Sequence, residues 1–252
     1  MFLKIGQEVA LYVKKHFVKE LIKLPSFKSK EYKTALEECF FKMDEMMKSP
    51  SGKKEVSSMA GGDSGESFAG CTATTMLVTQ AELYCANAGD SRTVLSRAKN
   101  AVPLSEDHKP DDVNERKRIY NANGFVEDGR VNGMLALSRA LGDFEYKNNP
   151  KVKAREQAVT AFPDVKVVPL SSNCEFVLLA CDGLWDCMSS EEAIAWCHKN
   201  VYKGNFQKGK LEADALKRGT EAIVDASCAE DIGASEGIGC DNITAVLVEF
   251  LR

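Results

Sequence analysis

The sequence predicts an α+β layered domain, and three observations carry that prediction. Apolar residues recur every four positions near the N-terminus, then alternate between Thr72 and Ser96, which is the change from helical to strand spacing. The order that follows is helix, strand, helices, strand, without the regular strand–helix repeat of a parallel array. At 252 residues and 44% hydrophobic content the chain can bury one substantial core, so a single domain over residues 1–252 is expected.

The elements read in order as follows. Gln7 to Leu24 is a helix, with Val9, Val13, Phe17 and Leu21 on one line and Lys14, Lys15 and Lys19 off it. Glu31 to Met47 is a second, with Tyr32, Leu36, Cys39, Phe40 and Met43 on one face. Ser49-Pro50-Ser51-Gly52-Lys53-Lys54 and Gly61-Gly62-Asp63-Ser64-Gly65 read as flexible loop by composition. Thr72 to Val78, Glu82 to Ala88 and Arg92 to Ser96 are strands with short gaps, which predicts an antiparallel meander with Gly89-Asp90 as its second turn. A helix from Asp111 to Asn123 is stopped by Gly124. Residues 129–144 are mostly loop with a short helical piece, and Phe176 to Cys181 is a strand. Ser189-Ser190-Glu191-Glu192 is a capping box that opens a helix through His198. A helix from Leu211 to Cys228 and a strand from Ile243 to Phe250 complete the chain, with no internal repeat.

Composition excludes several classes. The net charge of −4, with the two signs intermixed, gives no dedicated nucleic-acid surface. No apolar stretch approaches the ~20 residues that span a bilayer. The start, Met1-Phe2-Leu3-Lys4, is not a secretory leader, and Phe2 stands where myristoylation needs glycine. Nine cysteines, an odd count without C-x-x-C spacing, read as structural thiols, with Cys85, Cys181 and Cys240 in apolar runs. That points to a reducing compartment, cytoplasmic or nuclear.

The residues that promise chemistry are carboxylates at strand ends. Asp182 follows the apolar run Phe176-Val177-Leu178-Leu179-Ala180, where burying a charge is costly unless a cation neutralises it. Gly183 lets the chain turn sharply behind it. Asp241 stands in the same relation to the β-rich run Ile243 to Val248, and acidic turns also occur at Gly89-Asp90-Ser91-Arg92 and Glu106-Asp107-His108-Lys109-Pro110. Carboxylates without a Cys/His pair favour oxygen-ligated Mg²⁺ or Mn²⁺ over zinc, and such ions suit phosphoester hydrolysis. Aspartates also populate turns for purely local reasons. A phosphohydrolase with Asp182 as covalent nucleophile lacks the usual Asp-x-Asp spacing, because the next aspartate is Asp186.

A resemblance narrows these readings. Ser138-Arg139-Ala140-Leu141-Gly142-Asp143, preceded by Asp128-Gly129-Arg130-Val131-Asn132-Gly133, resembles the signature of the protein phosphatase 2C family, the metal-dependent Ser/Thr phosphatases. Ala88-Gly89-Asp90-Ser91-Arg92, Glu106 to Pro110, Cys181 to Asp186 and Cys240-Asp241-Asn242-Ile243-Thr244 match in the same order, from about Gly6 to the C-terminus. The resemblance implies an α/β/β/α sandwich of two antiparallel sheets flanked by helices, with a two-metal centre at one end. It implies Mg²⁺ or Mn²⁺ as cofactor, two ions with a weaker third, and phosphoprotein substrates. Phosphoserine and phosphothreonine are hydrolysed in that scheme by a water bridging the metals, with no phosphoenzyme. By the same resemblance Asp182 falls on the position that bridges or ligates the pair, and Asp241 on a ligand of one ion. Asp107 would hold the third ion together with Asp182. Asp90 and Arg92 are expected to form a buried ion pair or turn anchor, and Arg139 and Asp143 to brace the loop around the centre. His108 is not the expected proton donor, and His16 and His198 are expected at the surface or an interface.

The sequence departs from the family pattern at its start. The family carries Asp-Gly-His-Gly-Gly before its first helix, and here Phe2, Leu3, Lys4, Ile5 and Gly6 align with it. The expectation is a phosphatase domain incomplete at its N-terminus, since Asp107, Asp182 and Asp241 are retained. The rival reading is a catalytically inactive phosphatase-like binding or scaffold module. Loss of the leading strands would expose sheet edges through which an otherwise monomeric domain can associate. Specificity is expected in the loops Lys48 to Ser67 and Asn148 to Gln157.

Overall fold

The computed structural model describes residues 2–3, 6–61, 69–231 and 233–251. Residues 62–68 of the expected glycine-rich loop, and Lys4 and Ile5 of the aligned N-terminal segment, lie outside these. After a two-residue strand β1 (Phe2–Leu3) come helices α1 (Gln7–Leu21), α2 (Pro25–Lys28), α3 (Tyr32–Lys48) and α4 (Pro50–Met59). The last corrects the sequence reading, which made residues 49–54 loop. Ser49 caps the helix by accepting the Gly52 N–H on its Oγ at 3.0 Å, and Pro50 occupies the first turn, where its missing N–H costs nothing. Gly52 is there for close approach, because a Cβ would meet the Met46 carbonyl oxygen at 1.9 Å.

The next strands are β2 (Gly70–Val78), β3 (Glu82–Ala88), β4 (Arg92–Arg97) and β5 (Asn100–Pro103), followed by helix α5 (Val113–Asn121). A small hairpin, β6 (Val126–Glu127) and β7 (Arg130–Val131), precedes β8 (Leu141–Gly142), β9 (Asp164–Pro169) and β10 (Cys174–Ala180). Helices α6 (Asp182–Trp185), α7 (Ser190–Trp196) and α8 (Ala213–Ser227) and strand β11 (Ala245–Glu249) complete the chain, with a π-turn at Cys197–Val201. The capping box forms as expected: Ser189 Oγ accepts the Glu192 N–H at 3.2 Å, and Glu192 accepts the Ser189 N–H at 2.9 Å.

The strands form two antiparallel sheets. One runs β1-β2-β3-β9, with β8 also on β2; the other runs β11-β10-β4-β5. The expected meander is therefore broken: β3 and β4 are consecutive but belong to different sheets. The crossing is at Gly89, whose φ of +111° suits glycine and where a Cβ would meet Thr72 Cγ2 at 2.4 Å. Buried hydroxyl pairs pin the crossing, Thr72 to Ser91 at 2.9 Å and Thr74 to Thr93 at 2.7 Å.

Alternation along the strands builds four layers. Ala73, Ala86 and Ala88 face Val13, Phe17, Phe40 and Met43 of α1 and α3. Leu83 and Cys85 turn the other way, onto Leu95, Val177 and Leu179 of the second sheet. Val94, Phe176, Leu178 and Ala180 face Ala193, Ile194 and Ile223 of α7 and α8. The α/β/β/α sandwich of two antiparallel sheets is thus present. Among the described residues, no strand flanks β11 on its outer side, and β1 covers β2 only at Thr72 and Ala73. No helix among them is long and apolar enough to cross a membrane.

Candidate metal centre

Strand register gathers the aspartates at one end of the sandwich. Ala180, the last residue of β10, pairs with Arg92 at the start of β4 and with Ala245 at the start of β11. Asp182 leaves the first of these strands and Asp241 leads into the last, so both emerge on the same rim. The chains touch there. Cys181 N–H donates to the Thr244 carbonyl at 3.2 Å, and Cys181 Sγ contacts the Asn242 carbonyl at 3.2 Å. A Cβ on Gly183 would meet that same Asn242 oxygen at 2.7 Å, so this approach requires glycine.

Electrostatics at the rim are set by crowding. The Asp182 carboxyl is pushed up to about 6, by burial first and then by Asp90 and Asp241. Asp186 is also raised, by burial, with Lys109 opposing and Asp90, Asp107 and Asp241 adding to it. Sequence reasoning gave Asp186 no place in the cluster, although it lies one helical turn beyond Asp182, its N–H on the Asp182 carbonyl at 2.7 Å. Lys109 was missed as well. Its ammonium reaches Asp90 Oδ2 at 2.5 Å, and burial is outweighed by Asp90, Asp107 and Asp186, which hold it above the ordinary lysine value.

The expected Asp90–Arg92 pairing is replaced by a crossed arrangement. Asp90 takes Lys109, and Arg92 takes both oxygens of Asp107 while lying over the Trp185 ring at 5.2 Å. Of the three expected ligands, Asp182 and Asp241 are neighbours, whereas Asp107 faces an internal guanidinium. Among the described residues no three His, Cys, Asp or Glu side chains converge on one metal position. The donor chemistry nonetheless suits a hard cation. Asp182 and Asp241 offer carboxylate oxygens, Asp182 is held at about 6 by burial and then by Asp90 and Asp241, and Mg²⁺ commonly uses only one or two protein carboxylates alongside water and phosphate.

A buried bracket lies behind the rim. Glu115, only 3% exposed, accepts from Arg139 Nη2 at 2.7 Å, Arg118 Nη1 at 2.6 Å and Ser138 Oγ at 2.7 Å. Arg139 continues to Asp164 Oδ1 at 2.8 Å, and Asp164 Oδ2 takes His108 Nε2 at 3.1 Å. His108 Nδ1 in turn accepts the Gly89 N–H at 3.2 Å. Both nitrogens of His108 are therefore engaged in bracing the turn. Arg139 braces as expected. Asp143 is buried with φ of +50°, its carboxyl pushed up to about 6 by burial, Lys147 opposing. His16 takes Glu55 at 2.9 Å at the edge of the helical layer. His198 departs from expectation, being 8% exposed. Cys85 and Cys181 are buried free thiols, but Cys240 is exposed, because its segment is turn rather than strand.

The comparisons agree with this architecture. The profile of Protein phosphatase 2C matches residues 4–231. Probable protein phosphatase 2C 3 of Paramecium tetraurelia is 45% identical over 243 residues, which covers 96% of this chain and 79% of that relative. Protein phosphatase 2C 1 of the same organism is 44% identical over 247 residues, covering 98% and 80%. The crystal structure of a phosphatase from a pathogenic strain of Toxoplasma gondii superposes with a TM-score of 0.72 at 23% identity, over 100% of this chain and 85% of that one, and shares the fold.

Proposed function

This chain belongs to the protein phosphatase 2C family, and from that premise we propose that it is a protein phosphatase which hydrolyses phosphoserine and phosphothreonine with Mg²⁺ or Mn²⁺ at the Asp182–Asp241 rim. The observation that carries the reading is the juxtaposition of Asp182 and Asp241, with Asp182 raised to about 6 by burial and then by Asp90 and Asp241. A cation bound there supplies positive charge that acidifies water and offsets the phosphoryl oxygens. The chain's own residues do the rest. Asp182 and Asp241 give oxygen ligands from two strands whose register fixes their separation. Gly183 permits that approach. Lys109 and Arg92 hold Asp90 and Asp107 in place on the adjoining turn. The free thiols suit a cytoplasmic or nuclear setting.

The test is phosphate release from a phosphothreonine peptide by this chain, with Mn²⁺ and with EDTA. Release that requires Mn²⁺ and falls by orders of magnitude in Asp182→Asn is expected. Equal release by the variant sinks the assignment.

A further inference from the structure

Six of the nine cysteines are buried; the three that are not, Cys187, Cys228 and Cys240, stand at the margin of the aspartate rim. Cys187 follows Asp186 directly, Cys240 precedes Asp241, and Cys228 follows the last residue of α8. The Cys187 sulfur lies between the segments that carry the other two. It contacts the Ser227 carbonyl at 3.2 Å, one residue before Cys228, and faces the Gly239 N–H, one residue before Cys240. Burial raises its pKa, the Gly239 N–H opposes, and Asp186, Cys228 and Cys240 add to the rise, as neighbouring charges do. The proposed chemistry uses none of these thiols.

One backbone hydrogen bond sets Cys228 against Cys240. Ala229 N–H donates to the Gly239 carbonyl at 3.0 Å. In an antiparallel ladder, a bond between residues i+1 and j−1 flanks the close pair i and j, whose Cα atoms lie about 4.5 Å apart. Cys228 and Cys240 hold that relation here, and a disulfide spans Cα separations of about 4.4–6.8 Å. Cys228 is extended, with φ −78° and ψ 138°. Gly239, at φ +72°, turns the second segment off a regular strand but keeps it close. A Cβ there would meet the Ala229 nitrogen at 2.6 Å and the Ser227 oxygen at 2.7 Å. The two thiols are turned apart, Cys228 Sγ toward the Val224 carbonyl at 3.5 Å and Cys240 Sγ toward Ser235 Oγ at 3.1 Å. Both residues are exposed, so each side chain can swing about its Cα–Cβ bond toward the other. Cys187 is less free, with its sulfur also on the Gly183 carbonyl at 3.3 Å.

We propose that Cys228 and Cys240 are a reversible disulfide site, closed by a hydroperoxide, and that the bridge resets Asp241. One thiolate attacks the hydroperoxide, breaks its O–O bond and becomes a sulfenic acid, releasing an alcohol, or water from hydrogen peroxide. The second thiolate attacks that sulfur, and the displaced hydroxide leaves as water. The two cysteines together lose two electrons and two hydrogens, and the peroxide takes both. Exchange with a small dithiol reverses the step, as suits a transient bridge in a reducing compartment. Cys240 is joined by one peptide bond to Asp241, so the bridge shifts a carboxylate of the rim without occupying the rim. That consequence rests on the proposed metal reading; the bridge does not.

The test is peptide mass mapping of the whole metal-free chain after hydrogen peroxide, blocking with N-ethylmaleimide, and trypsin. No Lys or Arg lies between positions 219 and 251, so Cys228 and Cys240 fall on one peptide, 219–252, while Cys187 falls on another, 167–199. Peptide 219–252 is expected two hydrogens light and unlabelled, and doubly labelled when dithiothreitol precedes the blocking. Cys187→Ser should still form the bridge. With peroxide removed, the bridged chain should lose most of the rise in melting temperature that millimolar Mn²⁺ gives the reduced chain. Cys228→Ser, treated alike, should keep that rise. A link between the two peptides, or peroxide products at Cys228 and Cys240 without a bridge, overturns the pairing. A bridged chain with the full Mn²⁺ response overturns the effect on Asp241. A reduced chain that does not respond to Mn²⁺ counts against the metal reading, and the masses still decide the bridge.

Discussion

Arg92 holds both carboxylate oxygens of Asp107, through Nε at 3.0 Å and Nη2 at 2.9 Å. The pairing links the first residue of β4 to the turn before α5 and sets Asp107 against a guanidinium rather than toward Asp182. An ion at Asp107 therefore has to share the carboxylate with Arg92 or displace it. The hydrogen bonds to Asp107 are the main reason the Arg92 pKa is raised, ahead of the opposing effect of burial. Arg92→Ala and Asp107→Asn, measured by urea denaturation in EDTA, should each destabilise the chain. The double variant should lose less than the sum by about 1 kcal/mol. Strictly additive losses would show that the two side chains do not interact.

Asp182 should make the metal-free protein less stable as pH rises. Its folded pKa of about 6 exceeds the ordinary 3.8, so the folded state binds the proton more tightly. The contribution is present below about 3.8 and is lost as pH rises through 6. Asp143 shifts in the same direction, so a comparison of variants is needed to isolate Asp182. In EDTA at pH 7.5, Asp182→Asn should melt higher than the parent by an amount worth about 1 kcal/mol, after allowance for solvent screening. The gap should close toward pH 4. A variant less stable than the parent at pH 7.5 would contradict the crowding argument.

Glu115 should behave in the opposite sense. Burial alone would raise it, but Arg139, Arg118 and Ser138 prevail and hold it at about 2, against an ordinary 4.5. Its contribution is present above 4.5 and lost as pH falls toward 2. Glu115→Gln should cost about 3 kcal/mol at pH 7, because two buried guanidinium groups lose their counter-charge. Denaturation followed from pH 7 to pH 3 should show the difference between parent and variant narrowing.

Gly183→Ala should separate the rim without touching a carboxylate. The new Cβ meets the Asn242 carbonyl oxygen at 2.7 Å, and that oxygen belongs to backbone. A loss of about 1–3 kcal/mol is expected, along with a smaller rise of the melting temperature on adding millimolar Mn²⁺ than the parent shows. An unchanged Mn²⁺ response would mean that the Asp182–Asp241 spacing does not govern ion binding.

Periodicity and end signals located most elements, because helical stripes, the Ser189 capping box and the Gly124 stop are local properties of the chain. What failed was non-local. Gly52 reads as a loop residue until Met46 and Met47 are packed against it. The turn at Gly89 looks like a hairpin from its residues, yet the buried Thr72–Ser91 and Thr74–Thr93 contacts that direct it across the sandwich involve strands far apart in sequence. β9 escaped notice because its burial hardly alternates along Asp164–Pro169. At the rim, Asp182 and Asp241 were legible from their places at strand ends. Their surroundings were not: the exchange of partners among Asp90, Lys109, Arg92 and Asp107 depends on side-chain directions that spacing does not encode.

The crossing at Gly89 also orders events during synthesis. β2 and β3 pair across a short turn and can close on α1 and α3 while the ribosome is still adding residues. β4 pairs locally with β5 alone; its other neighbour β10 begins at Cys174, and β11, which pairs with β10, ends at Glu249. Contacts of such long sequence separation form slowly, and domains tend to consolidate from the N-terminus. The second sheet is therefore the later half to be completed, and a nascent chain carries the β4–β5 hairpin with one edge of β4 unpaired until β10 emerges. Asp182 and Asp241 come together only with the final strand, so mutual repulsion of the carboxylates arises after the first helical layer has already packed.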